Sequence, residues 1–334
     1  MIYIKLGKSD LNVSRICMGC MGIGDPSKGM NKWAVPEEES RNIVRYALDQ
    51  GINFFDTAMS YQDSEEVLGK ALNEFAKRDD YIVATKFLPR SKEELDKNVS
   101  GQEHVAYCLD RSLKRLGLDY VDLYIYHMWD YHTPMNEIIE GLNNVVKSGK
   151  VRYIGISNCY AWQLAKANFY ARERGFAEFI SVQGHYNLIA REEEREMIPF
   201  CEDQNIALTP YSPLASGRLC RLANETTKRF ELDEYARFKY DKSQDIDAGI
   251  IERVSEVAEN RNVSMTEISL AWLLRKVTAP VIGVTKKSNI DGAVKSLELE
   301  LTQKEMDYLE DLYVPHALAG VMAQNGKQKV GDVV

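Results

Sequence analysis

The feature that most limits what this chain can fold into is a repeated alternation. Short apolar runs rich in β-branched and aromatic residues recur at about 16–18, 53–55, 81–86, 121–126, 151–156, 179–183, 206–210 and 280–283. A hairpin-like start at 2–6 and 13–15 precedes them. None shows the strict apolar–polar alternation of a strand with one wet face, so each reads as a parallel strand covered on both sides. Amphipathic stretches separate the runs. Pro36 and three glutamates open one helix at the positive end of its dipole, and Gly51 stops it. Ser100 with Glu103, Ser264 with Glu267 and Thr302 with Glu305 are capping boxes ahead of three more helices. Another helix runs from Met135 to Val146 and closes at Ser148-Gly149. Eight strand–helix units with no break in composition specify a single α/β domain over residues 1–334. The expected architecture is a (β/α)8 TIM barrel with an N-terminal β-hairpin and an extra C-terminal helix.

At 334 residues and 45% hydrophobic content the chain can bury a large core. A formal net charge of −8 argues against nucleic acid or an anionic membrane as the main partner. No apolar run approaches membrane-spanning length, and MIYIKLGKSDLNVSRI lacks a charged-then-apolar leader, so a cytoplasmic protein is expected. The composition permits a homo-oligomer without specifying one. Six scattered cysteines fit reduced thiols. Cys17-Met-Gly-Cys20 has redox-motif spacing. With no second Cys or Cys–His pair spaced for zinc, two small packed residues at a strand end are expected there, and no metal site.

Two segments fall outside the repeat. Residues 212 to about 247, after the seventh run, are too long for an ordinary connection. Their basic and aromatic residues (Arg218, Arg221, Lys228, Arg229, Phe230, Tyr235, Phe238, Lys239 and Tyr240) favour a lid over bound ligand. The tail from Pro315 ends in Gly326-Lys327-Gln328-Lys329 and is expected to be poorly ordered.

The chemistry-bearing residues sit where the runs end. Asp56 and Tyr61 lie in NFFDTAMSY, Lys86 ends YIVATK, and His127 ends VDLYIYH. Barrel enzymes collect their chemistry at the C-terminal ends of strands. A free phenol has a pKa of about 10. An adjacent ammonium would lower it, making Tyr61 a general acid with Lys86 as the tuning group and Asp56 as the residue that holds Lys86. His127 would hydrogen-bond the oxygen that receives the proton. Each residue also has a plainer reading: Lys86 as a Schiff-base lysine or a solvated strand end, and His127 as a satisfied core histidine.

In order along the chain, NFFDTAMSY, YIVATK, VDLYIYH, GKVRYIGISN, SVQGHYN and TPYSPLASGRL resemble the successive signatures of the aldo-keto reductases, over about residues 15–312. The pattern is most similar to certain bacterial members and to the β-subunits of potassium channels. The resemblance implies a barrel that binds NADPH/NADP+ and reduces aldehydes or ketones, with Asp56, Tyr61, Lys86 and His127 as the matched tetrad. It also explains why no G-x-G-x-x-G turn follows any strand, since the dinucleotide would lie extended across the barrel mouth. By the same resemblance, Ser157, Asn158 and Gln183 would hold the carboxamide, and Tyr211 would stack on the nicotinamide. Met21, Gly22 and Asp56 would also border the cofactor. Ser212, Pro213, Leu214, Ser216, Gly217 and Arg218 would receive the pyrophosphate. Gly283, Thr285 and Lys286 would meet the adenosine phosphate at a helix start, Lys287 adding a second cation that points to NADPH over NADH. One departure stands out. Where the family carries Gln or Arg and then Glu-Asn to grip adenine, this chain has Asn289, Gly292 and Ala293. Asn289 could serve, whereas the other two offer no such side-chain contact.

Trp33 and Trp129 are the candidate walls of the substrate mouth, with Asp130 or His132 at its rim. The expected activity is reduction of small carbonyl or sugar-type substrates. The alternatives are a cofactor-sensing regulatory protein that turns over slowly, and a Schiff-base aldolase using Lys86.

Overall fold

The computed structural model describes residues 1–28, 31–222, 227 and 231–325. Tyr3–Lys5 (β1) and Asn12–Ser14 (β2) pair antiparallel as the hairpin. Eight parallel strands follow: Cys17–Gly19 (β3), Phe54–Asp56 (β4), Ile82–Phe87 (β5), Val121–Tyr126 (β6), Val151–Ser157 (β7), Phe179–Gln183 (β8), Ala207–Leu208 (β9) and Val281–Gly283 (β10). They run in the order β10-β3-β4-β5-β6-β7-β8-β9. The Val281 amide donates to the Pro210 carbonyl at 2.9 Å and Tyr211 bridges Val281, so β9 and β10 close the circle.

Period-two alternation explains both faces. Cys17, Phe54, Ile82, Leu123 and Val281 point into the barrel, while their successors Met18, Phe55, Val83, Tyr124 and Ile282 pack beneath the helices. Leu6, Leu11 and Val13 of the hairpin join the interior cluster, which makes β1–β2 the floor of the barrel. Both sides of the parallel strands are therefore largely apolar, which is why the runs lack alternation in sequence. The same period carries Asp56, Lys86 and His127 inward, as the next inward positions after Phe54, Ala84 and Ile125.

The capping boxes form as the sequence requires. Ser100, Ser264 and Thr302 each accept from the backbone three residues on and receive the matching glutamate in return. The first helix runs Glu37–Asp49 with Pro36 as its cap, and Met135–Lys147 is helical as expected. The helix after the long segment runs Gln244–Arg261, so it begins inside the stretch assigned to that segment. The expected C-terminal helix is two pieces, Gln303–Glu310 and Gly320–Asn325.

The long segment after β9 is more regular than its composition implied. Ala215–Cys220 winds as a 3-10 helix and Glu234–Tyr240 as an α-helix, whose Ala236, Lys239 and Tyr240 are buried against the barrel mouth. Lys228, Arg229 and Phe230, assigned to the lid, lie outside the described residues, as does Gly326-Lys327-Gln328-Lys329 in the tail. Among the described residues no helix is long and apolar enough to cross a membrane.

Candidate active site

At the C-terminal end of β5, Lys86 has no solvent exposure. Its Nζ lies 2.5 Å from Asp56 Oδ1, 2.8 Å from the Thr57 carbonyl and 3.5 Å from Tyr61 Oη. Gln183 Nε2 donates to the second Asp56 oxygen at 2.9 Å. The His127 ring meets Tyr61 edge-on, with centroids 5.8 Å apart. The acid, phenol, ammonium and imidazole thus form one cluster at the mouth.

Electrostatics fix their charge states. Burial works against the Lys86 charge, but Asp56 and Tyr61 more than offset it and hold its pKa above the ordinary lysine value. Burial pushes the Tyr61 phenol up, while the Lys86 ammonium pulls the other way and Asp56 adds to the rise. The net shift is upward, so the expected lowering of the phenol is corrected: the ammonium moderates a desolvation effect that is larger than its own. Burial, and then repulsion from Lys86, lowers His127 to about 3. Its imidazole is neutral at pH 7, and its Nδ1 is buried without a hydrogen-bond partner among the described residues. Lys86, held as an ammonium, lacks the free electron pair that a Schiff base requires. The Cys17 and Cys20 thiols are fully buried and pushed up by desolvation, which makes them poor nucleophiles.

Around this centre the remaining candidates take definite places. Ser157 Oγ donates to the Gln183 carbonyl at 2.8 Å. Asn158 Nδ2 donates to the His127 carbonyl and to Ser157 Oγ, and Tyr211 Oη donates to Asn158 Oδ1 at 2.9 Å. Tyr211 lies flat on His185, 5.4 Å between centroids and 10° between planes. Beyond it Ser212, Ala215, Ser216 and Gly217 all have positive φ, between 48° and 96°. Within this stretch the Ala215 and Gly217 amides donate to the Ser212 and Leu214 carbonyls at 2.9 and 2.7 Å, a tight left-handed turn of the kind that can present neighbouring N–H groups to an anion. Pro213 and Leu214 complete this winding. Arg218 is bound to Asp241 at 2.6 Å and covers the Tyr240 ring.

On the opposite rim Gly22 packs beneath Trp33: a Cβ on Gly22 would come within 2.8 Å of the Trp33 ring and 3.1 Å of Thr285. Trp33 is only 9% exposed and packs beside the Gly22–Thr285 edge. Met21 is exposed, and its carbonyl accepts from Asn31. Trp129 is half-buried, 6.4 Å from Trp162. Asp130 accepts from Tyr126 and from the amides of His132 and Thr133, which gives it a loop-shaping task.

Gly283 and Lys286 are exposed ahead of the helix Lys287–Ser296. Asn289 Oδ1 accepts from the Thr285 and Lys286 amides at 3.2 Å, so its oxygen caps its own helix and is not turned outward. Ala293 is fully buried. Sequence reasoning passed over Glu65, Thr85, Arg115 and His185, although Thr85 and His185 stand inside quoted motifs. Only their partners in space single them out.

Fold and site together define a class: a (β/α)8-barrel protein whose mouth concentrates proton donors in one cluster. A model of the aldo/keto reductase family matches residues 15–314. A versiconal hemiacetal acetate reductase of Aspergillus parasiticus is 38% identical, over 95% of this chain and 98% of its own length. A putative aryl-alcohol dehydrogenase, AAD16, of Saccharomyces cerevisiae is 37% identical, over 93% and 97%. The crystal structure of a thermostable aldo-keto reductase, Tm1743, in complex with the inhibitor epalrestat has a TM-score of 0.74 at 25% identity. It covers 93% of this chain and 100% of that one. The chain belongs to the aldo-keto reductase family. Its general activity is therefore oxidoreduction between carbonyl compounds and alcohols.

Proposed function

We propose that this protein reduces aldehydes and ketones with NADPH, Tyr61 giving its proton to the carbonyl oxygen. The contact that carries the reading is Lys86 Nζ, held between Asp56 at 2.5 Å and Tyr61 Oη at 3.5 Å. The residues at the mouth fit a nicotinamide dinucleotide: amides and a hydroxyl at Ser157, Asn158 and Gln183, an aromatic face at Tyr211, a left-handed winding at 212–217, and a helix start with Lys286 and Lys287. When bound, the reduced cofactor supplies the hydride. Tyr61 stays protonated at neutral pH and is the proton source. Lys86 lowers the cost of the phenolate left behind, and Asp56, itself steadied by Gln183, keeps Lys86 charged and in place. Neutral His127 borders the same space and orients the substrate oxygen. A positioned proton donor contributes typically about 10²–10⁴ in rate.

Substrates with an aromatic or other flat apolar group next to the carbonyl suit the Trp129 side of the mouth, and the aryl-alcohol name of one relative points the same way. Six free thiols fit a reducing compartment such as the cytoplasm. The test is loss of NADPH absorbance with a panel of aldehydes, NADH in parallel, using the wild type and Tyr61→Phe. The variant should lose at least about 10²-fold in kcat while retaining NADPH binding by fluorescence titration. Near-normal turnover would refute the role.

A further inference from the structure

Tyr61 sits on the loop between β4 and the helix Ser64–Phe75, at one of the less regular places in the barrel. Gln62, immediately after it, has φ of 52°. Something must fix this loop if the phenol is to stay 3.5 Å from Lys86. One clamp comes from a different unit of the barrel. Arg115, in the last turn of the helix Gly101–Leu116, donates through Nη1 to the Met59 carbonyl at 3.1 Å and through Nη2 to the Gln62 carbonyl. The two acceptors bracket Tyr61 in sequence. The same guanidinium pairs with Glu65 at 3.1 Å and with Glu66 at 3.3 Å.

Glu65 is the more telling partner. Its side chain has no exposure, and its other oxygen accepts from Thr85 Oγ1 at 2.6 Å. Thr85 is the residue before Lys86, and on a strand the two point to opposite faces. The strand that presents the ammonium inward therefore holds the phenol's loop from outside, through Thr85, Glu65 and Arg115. A carboxylate buried this deeply is costly unless paired, so the arrangement is kept together by its own charges.

We infer that Arg115 is a positioning residue for Tyr61, setting the phenol–ammonium distance through the Glu65–Thr85 link. This rests on the proposed role of Tyr61 as proton donor. Arg115 touches no reacting atom. Its loss leaves the loop's two carbonyls unheld and the phenol displaced, and a displacement of about 1 Å can cost on the order of 10²-fold in rate.

The experiment compares Arg115→Ala, Thr85→Val and Tyr61→Phe with the wild type, using NADPH and 4-nitrobenzaldehyde across about pH 6–12, a range that takes in the raised Tyr61 phenol. For Arg115→Ala, kcat should fall about 10–100-fold with KM within about twofold. The alkaline limb of kcat should move to higher pH, because a phenol farther from the ammonium holds its proton longer. Guanidinium chloride at low millimolar concentration should restore part of kcat where sodium chloride does not. Thr85→Val keeps the side-chain shape and should show the same kcat–KM split at about 3–10-fold, which covers the case in which Arg115→Ala does not fold. Unchanged kcat in either variant while Tyr61→Phe is inactive overturns the inference alone. So does a fall with no shift of the limb and no guanidinium rescue. Normal turnover in Tyr61→Phe overturns the proton-donor reading itself.

Discussion

The neutral state of His127 gives the site a measurable acid sensitivity. Burial and the Lys86 ammonium lower this imidazole from 6.5 to about 3. A base whose folded pKa is depressed binds its proton more readily when unfolded. Its contribution to stability is therefore full above pH 6.5 and is lost as pH falls from there towards 3. Each pH unit in that window costs roughly 1.4 kcal/mol from this group, so about 2–3 kcal/mol should be lost between pH 6.5 and 4.5. Partial exposure of the ring to the pocket screens some of this, which leaves about 2 kcal/mol. The variant His127→Gln keeps a polar side chain but cannot titrate. Urea unfolding at pH 7.5 and 4.5 should show wild type losing about 2 kcal/mol more than the variant across that interval. The difference between two proteins cancels the other acid-sensitive groups. Parallel losses would refute the neutral, burial-depressed imidazole.

Glu193 should act in the opposite sense. Burial, reinforced by Glu192, pushes its carboxyl up to about 7, so stability falls as pH rises from 4.5 through 7. Glu193→Gln should gain roughly 1–3 kcal/mol at pH 8 and little at pH 4, read from denaturation midpoints; equal effects at both would contradict the buried acid. Asp56→Asn leaves the Lys86 ammonium buried without its carboxylate and should cost about 3–5 kcal/mol in urea unfolding at pH 7. A loss below about 1 kcal/mol would mean the pair behaves as a surface one. Lys86 adds a stability contribution present below the ordinary lysine pKa and lost as pH rises through its raised folded value, which Lys86→Met should abolish in alkaline unfolding curves.

What could be read from the sequence divides by range. Strands covered on both faces advertise themselves as dense apolar runs, and capping boxes are local, so the strands and the starts of the capped helices were legible to within a residue or two. Asp56, Lys86 and His127 were legible because each extends a run by a single polar residue of inward parity. Adjacency of β9 and β10 closes a circle over some 70 residues and has no local signal. Nor has Arg115, whose partners Met59, Gln62 and Glu65 lie about 50 residues upstream. Asn289 shows a different kind of gap: its side-chain oxygen, three residues into a helix, takes the amides at that helix's start, a cap that the family motif does not advertise. The sign of the Tyr61 shift was misjudged for a related reason: a charge partner is visible in a motif, whereas depth of burial is not.

The protonation states form a consistent set with a direction in it. Phenol and ammonium are both held above their ordinary values, and the imidazole is neutral. At neutral pH the site is thus stocked with protons where a carbonyl oxygen would arrive, on the reading that Tyr61 is the donor. Running the reaction backwards needs a phenolate to take the alcohol's proton, and burial disfavours that anion. Alcohol oxidation should therefore climb roughly tenfold per pH unit up to and beyond the ordinary tyrosine range, while carbonyl reduction stays level until Tyr61 titrates. Measured with one alcohol–aldehyde pair in both directions, the two profiles must cross on the alkaline side. An oxidation rate already flat at pH 8 would mean that the phenol ionises far more easily than its burial allows, and that Lys86, not desolvation, sets its pKa.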